Sequence, residues 1–180
     1  MSNLADPEGD DFPAAAAKNL DDANALLAAS RTDGAGYLAG YVRECSLKAV
    51  IVLDFIAREV RLAPGTTLKD ALTSSAPADQ AAVEAGRMKG LKEARKHGHK
   101  LGQLSAKAQA LAAVPGGAVA RYILPPNASS ALEAEGWRET LRYRAAGIVD
   151  ASKASRWVDD AKTIYLKTVG AMRRDGVVFG

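Results

Sequence analysis

Two imidazoles, His97 and His99, are the only ones in the chain. An imidazole titrates near working pH, so either could carry a proton in acid–base chemistry. His99 stands just before a run with helical spacing and could equally brace the start of that helix. Glu44 and Lys48 lie four residues apart with the acid first, the favourable order for an ion pair on one helix face. They sit in a mostly apolar run, TDGAGYLAGYVRECSLKAVIVLDFI, from Thr32 to Ile56. A polar pair inside such a run is costly unless it is satisfied. Two readings stand: the pair lines a polar cleft or dimer interface, or it is a local bridge with the lysine stem laid over apolar neighbours.

Arg142, Tyr143 and Arg144 form a short basic–aromatic cluster. A guanidinium engages two phosphate oxygens at once, and a tyrosine ring stacks on a base. The alternative is loop anchoring, with Tyr143 packed under the last helix. Tyr37 and Tyr41, four apart, read as core or interface aromatics, and Trp137 and Trp157 as core anchors. Other chemistries fall away. No Cys or second His stands at a spacing that makes a zinc site. Cys45, the single cysteine, lies on an apolar stripe and reads as a small buried hydrophobe. Gly116 and Gly117 are not followed by Lys-Ser/Thr, so they form no phosphate loop. No metal and no cofactor are expected.

These residues need a scaffold, and the composition favours helices. The 180 residues suit one domain with a real core, 48% are apolar and 25% charged, and alanine is abundant. One cysteine permits no intrachain disulfide. No stretch of 18 apolar residues lacks charge, so no membrane span is expected. The N-terminus lacks the order of a signal peptide, which leaves a cytoplasmic location as the expectation. The net charge of +3 is unevenly spread. Met1–Asp22 carries six Asp/Glu and one Lys; Arg87–Lys107 carries seven Lys/Arg and one Glu. The basic stretch could attract phosphate, or could be a solvated helix face.

Residues 1–11 read as a disordered acidic tail, and residues 12–180 as a single domain. Helix 1 is expected from near Pro13, capped by Asp11, to about Ser30. Helix 2, capped by Asp33, should run from near Gly34 to about Val60 and stop at Pro64 and Gly65. Its stripe of Tyr37, Tyr41, Cys45, Ala49 and Val52, broadened by other apolar residues, makes it the central helix. Thr67 can cap a short helix. Helix 3, Asp79 to Arg95, is weakly apolar and belongs on the surface or in an interface. Helix 4 follows Gly98 and stops at Pro115, Gly116 and Gly117. Ala118–Leu124 reads as a strand-like piece or extended loop, and Pro125–Pro126 as a stiff connection. Ser129 or Ser130 should cap helix 5, reaching about Arg142. Asp150 or Ser152 should cap helix 6, reaching about Asp175. The expected fold is all-α, an antiparallel bundle of about six helices.

Five pieces, in order, resemble HEPN domains over roughly Ala14–Met172. KNLDDANALL resembles the family's first helix. GAGYLAGYVRECSLKAVI resembles its small-rich, tyrosine-bearing second helix, with an acid and a lysine four apart. HKLGQL, starting at His99, resembles the start of a later helix. WRETLRY resembles the stretch before the last helix, and ASRWVDDAKTIYLKTV that helix itself. The resemblance implies a helical bundle that pairs into a two-fold homodimer. Many members are metal-independent RNases whose signature is Arg, four to six residues, then His. Here the windows before His97 and His99 hold Gly90, Leu91, Lys92, Glu93 and Ala94, with no arginine, while Arg87 and Arg95 fall outside them. The chain therefore looks closer to members that lack the motif and serve as binding or partner modules, often beside a minimal nucleotidyltransferase.

Three readings follow. The first is a non-catalytic homodimeric module of a toxin–antitoxin or defence-type system, binding a nucleotide, RNA or a nucleotidyltransferase antitoxin. Its cleft would be built from Tyr41, Glu44, Lys48, His99, Arg142 and Tyr143. The second is an RNase toxin with an atypical site, using His99 with Lys92, Arg95 or Arg142. The third is a structural dimeric protein in which these groups form a satisfied network and bind nothing.

Overall fold

The computed structural model describes residues 1–7, 9–60, 66–114, 117–125 and 130–179. Its organising element is α2, Thr32–Val60. Every residue from Val42 to Asp54 is buried on it. A helix apolar on one face only would bury one stripe, so α2 is enclosed on all sides. Around it pack α1 (Phe12–Ala28), α4 (Pro77–Lys96), α5 (Leu101–Ala112) and α7 (Ala151–Lys167). Three short helices complete the bundle: α3 (Leu68–Thr73), α6 (Ala131–Ala134) and α8 (Val169–Arg174). Among the described residues there is no strand, and no helix is long and apolar enough to cross a membrane. The all-α expectation holds.

Local chemistry sets the helix starts. The Asp11 carboxylate accepts from Ala14 N, and Pro13 occupies the first turn of α1. Thr67 and Asp70 make a reciprocal capping box on α3. Ser130 caps α6, and Asp150 caps α7. The places named for Pro64, Gly65, Pro115, Gly116, Pro126 and Ser129 lie outside the described residues.

Four expectations are corrected. Asp33 lies within the first turn of α2, and its carboxylate instead accepts from Gly147 N at 2.6 Å and Val149 N at 2.8 Å. The helix expected from Ser130 to Arg142 is broken: Gly136 adopts φ +76° after α6, and Glu139–Tyr143 is a 3-10 turn. Ala118–Leu124 holds another 3-10 turn, Ala120–Tyr122, before Ile123 extends. The last helix splits at the buried Thr168, whose hydroxyl donates to the Ile164 carbonyl.

The acidic tail is not loose. Leu4 and Ala5 are buried. Asn3 bridges to the C-terminal segment through Val177 O and Phe179 N, both at 3.0 Å. Arg95 engages Asp6 and Asp10, and Arg87 donates to the Ala5 carbonyl. Asp6 and Asp10 are thus counter-charges for α4, which composition alone does not disclose.

The weak apolarity of α4 also has a packing reason. A Cβ on Gly86 would lie 2.5 Å from Ile56 Cα, and one on Gly90 would lie 2.7 Å from Val52 Cα. The two glycines, four apart on one face, let the backbones of α4 and α2 meet without large side chains between them.

Candidate functional site

Tyr37, Tyr41, Glu44 and Lys48 are spaced four, three and four residues apart on α2, so they share one face. The tyrosine stripe therefore continues into the ion pair rather than into Cys45 and Ala49. Glu44 is buried, and both of its oxygens are engaged. Lys48 Nζ is 2.7 Å from Oε1, and His99 Nδ1 is 2.8 Å from Oε2. Lys48 is buried as well, with Nζ 5.2 Å from the centre of the Phe12 ring. His99 arrives from the turn between α4 and α5, where Gly98 takes φ +51°, and its side chain stays 47% exposed. It is the open end of an otherwise buried network.

Tyr41 joins this network to the next. Its ring meets His99 and Trp137 edge-on, with centroids 5.5 and 5.7 Å away. Tyr37 Oη donates to Tyr41 Oη at 3.1 Å. Burial, reinforced by the neighbouring Tyr37 hydroxyl and the Glu44 charge, pushes the Tyr41 hydroxyl well above its usual range, so it remains a neutral phenol. Trp137 Nε1 donates to the carbonyls of Gly36 and Tyr37, fixing the segment that carries Arg142 against α2. The Tyr37 hydroxyl beside Arg142 raises its guanidinium pKa. Arg142 also stacks over the Tyr143 ring at 4.6 Å. Tyr143 is 75% exposed, so it is not packed under the last helix.

The structure thus brings Tyr41, Glu44, Lys48, His99, Arg142 and Tyr143 into one strip, from a buried ion pair at one end to an exposed cation and ring at the other. Tyr37 is its link, a role that reading it as a core or interface aromatic misses. The fourfold spacing from Tyr37 to Tyr41 was the available signal.

A second charged network went unseen in the sequence. Arg43, on the neighbouring face of α2, is only 5% exposed. It donates to Ser105 Oγ at 3.2 Å, lies 3.5 Å from Glu133 and 3.9 Å from Asp160. Ser130 donates to that same Asp160 carboxylate at 2.7 Å. Its residues tie α2, α5, α6 and α7 together, a structural role. The sequence signal was Arg43 itself, a charge inside a run where only one polar pair was singled out.

The basic stretch is largely neutralised within the chain. Lys89 pairs with Glu59, Lys96 and Lys107 both pair with Glu93, Arg87 with Glu84, and Arg95 with the tail. Its two lysines hold the Glu93 carboxyl down at about 2. Arg95 is therefore committed elsewhere and does not sit on His99. His97 is half-buried, with Nε2 enclosed and unpartnered.

Among the described residues no group of three or more His, Cys, Asp or Glu side chains could hold a metal ion. What the strip can do chemically is present a guanidinium, a stacking ring and a carboxylate-held imidazole along one edge. No family model matches the chain, and neither a curated protein nor a solved structure matches it.

Proposed function

We propose that this chain is a HEPN-like helical module without RNase activity, acting as a homodimer in a toxin–antitoxin or defence-type system. It binds a nucleotide, RNA or a nucleotidyltransferase partner in a cytoplasmic setting. The observation that supports this reading best is the continuous strip. Glu44 is saturated by Lys48 and His99, while Arg142 and Tyr143 remain exposed to meet a partner. The windows before His97 and His99 hold no arginine, so the arginine–histidine pair of the family's RNases is missing, which favours binding over cleavage.

A second reading rests on the same histidine. Glu44 on Nδ1 orients the ring and leaves Nε2 as the outward nitrogen, an arrangement that also suits a general acid–base group. This is the RNase with an atypical site. Labelled RNA incubated with purified protein, without added metal and beside a His99→Ala control, separates the two. The expected result is no cleavage across a wide protein range. Cleavage that disappears in the control overturns the binding-module reading. Light scattering tests the homodimer, and a monomer at all concentrations removes it.

A further inference from the structure

Three of the arginines without a counter-charge cluster together outside the basic stretch. Among the described residues Arg31, Arg142 and Arg144 take part in no ion pair. All three line one groove of about 640 Å³ beside the amino end of α2, together with Asp33, Tyr37 and Leu141. Arg31 enters from the turn between α1 and α2. Arg142 and Arg144 enter from the 3-10 turn and loop before α7, more than a hundred residues later in the chain.

The groove is held in shape by the Asp33 clamp. Its carboxylate is taken up by the amides of Gly147 and Val149, which anchors the loop that presents Arg144. It forms no ion pair with the arginines, and one carboxylate against three guanidiniums leaves the lining with a net positive charge. Arg142 is further aligned by the Tyr37 hydroxyl. A guanidinium keeps its charge at any working pH. Three of them around one cavity repel one another and favour an anion among them. The volume falls within the range of small-molecule sites, roughly 300–1,000 Å³. The Tyr37 and Leu141 side chains add an aromatic and an apolar wall.

We infer that this groove binds a small molecule carrying adjacent phosphates, which Arg31, Arg142 and Arg144 grip from both sides. The ligand's phosphates are the shared chemistry, supplied either by an inorganic polyphosphate or by a nucleoside polyphosphate. The inference deepens the nucleotide-binding arm of the proposed function and shares Arg142 with it. A single phosphate leaves part of the positive charge unmatched, so a monophosphate binds much more weakly.

Titration calorimetry of the full chain at low ionic strength, with tripolyphosphate, ATP, AMP and a single-stranded RNA oligomer, tests this. Tripolyphosphate and ATP are expected to bind, each at least tenfold more tightly than AMP. Arg31→Gln with Arg144→Gln should weaken both at least tenfold; these side chains are exposed, and circular dichroism verifies the fold. Arg121→Gln, which removes an exposed arginine outside the groove, should change neither. Equal affinities for the two polyphosphates assign recognition to the phosphates alone, and tighter ATP adds a contact from the base. The inference is overturned if neither polyphosphate binds, if AMP binds as well as ATP, or if the double variant binds normally. RNA binding that depends on these arginines, with no polyphosphate binding, replaces the small ligand with a nucleic acid. Each overturning result leaves the RNA and nucleotidyltransferase arms of the strip-based module reading intact. Cleavage that depends on His99 would sink that reading and leave the groove standing.

Discussion

Glu44 and His99, 55 residues apart in sequence, meet at 2.8 Å through Oε2 and Nδ1, while the other oxygen of the same carboxylate holds Lys48. Glu44→Ala should therefore leave the Lys48 ammonium buried without its counter-ion. Breaking one partner of a buried pair costs about 3–5 kcal/mol, whereas replacing both by apolar residues of similar size is often neutral or stabilising. Glu44→Leu with Lys48→Met should accordingly recover most of the loss in a urea titration. The double variant also separates a binding strip from a structural one. If it folds and dimerises but loses its ligand, the pair belongs to a binding site. If the dimer weakens and affinity is unchanged, the pair is structural.

Gly40 faces the indole of Trp137, and a Cβ there would fall inside the ring. That contact sets the distance between α2 and the segment carrying Arg142. Overpacking typically costs about 1–3 kcal/mol, and Gly40→Ala should reach the upper end because the indole is also fixed by its bonds to Gly36 and Tyr37. Gly102→Ala is the control. It lies in α5, and the methyl it adds would have nothing within 4 Å, so it should gain up to about 1 kcal/mol from helix propensity. Thermal unfolding of both variants decides this, and equal effects would remove Gly40 as a spacer.

The helices themselves were legible because their signals are local. Alanine-rich periodic runs, Asp11, Thr67 and Asp150 need only neighbours a few residues away. The failures all depend on distant partners. Asp33 has the chemistry of an N-cap, yet two amides more than a hundred residues later take its carboxylate. The tail is acidic and short of apolar residues, yet Arg87 and Arg95 hold it down. The helix that carries Gly86 and Gly90 is weakly apolar in sequence, and only the position of α2 turns the two glycines into a contact face. For the site, the spacing of Glu44 and Lys48 was visible, whereas the groove needed Arg31 and Arg144 to be brought together by the chain's return.

The Asp33 clamp gives a pH signature. Bonds from the Gly147 and Val149 amides hold its carboxyl below the ordinary carboxylate range. A depressed folded pKa means stabilisation that is fully present above the unfolded pKa of about 3.9 and lost as pH falls through the lower folded value. Exchange protection of the Gly147 and Val149 amides, corrected for intrinsic rates, should hold at neutral pH and fade below about pH 4. Asp33→Ala should show the unprotected loop already at neutral pH. Protection that is unchanged in this variant would show that the loop is anchored by something else.

Cys45 follows Glu44 on α2 and is 7% exposed. Burial, aided by the Glu44 charge, pushes its thiol up to about 12. At pH 8 the reactive thiolate is then about one part in 10⁴, and even that fraction is enclosed. Modification of the native protein by a thiol reagent should therefore proceed only through opening of the bundle, far more slowly than in denaturant. Because Glu44→Ala destabilises the same stretch of α2, it should speed labelling by opening the fold more often, although it also removes a charge that disfavours the thiolate. Comparing the rate with the stability loss across pH separates the two effects: an opening-limited rate follows stability. A native protein that labels as fast as the denatured one would refute the enclosed position of Cys45.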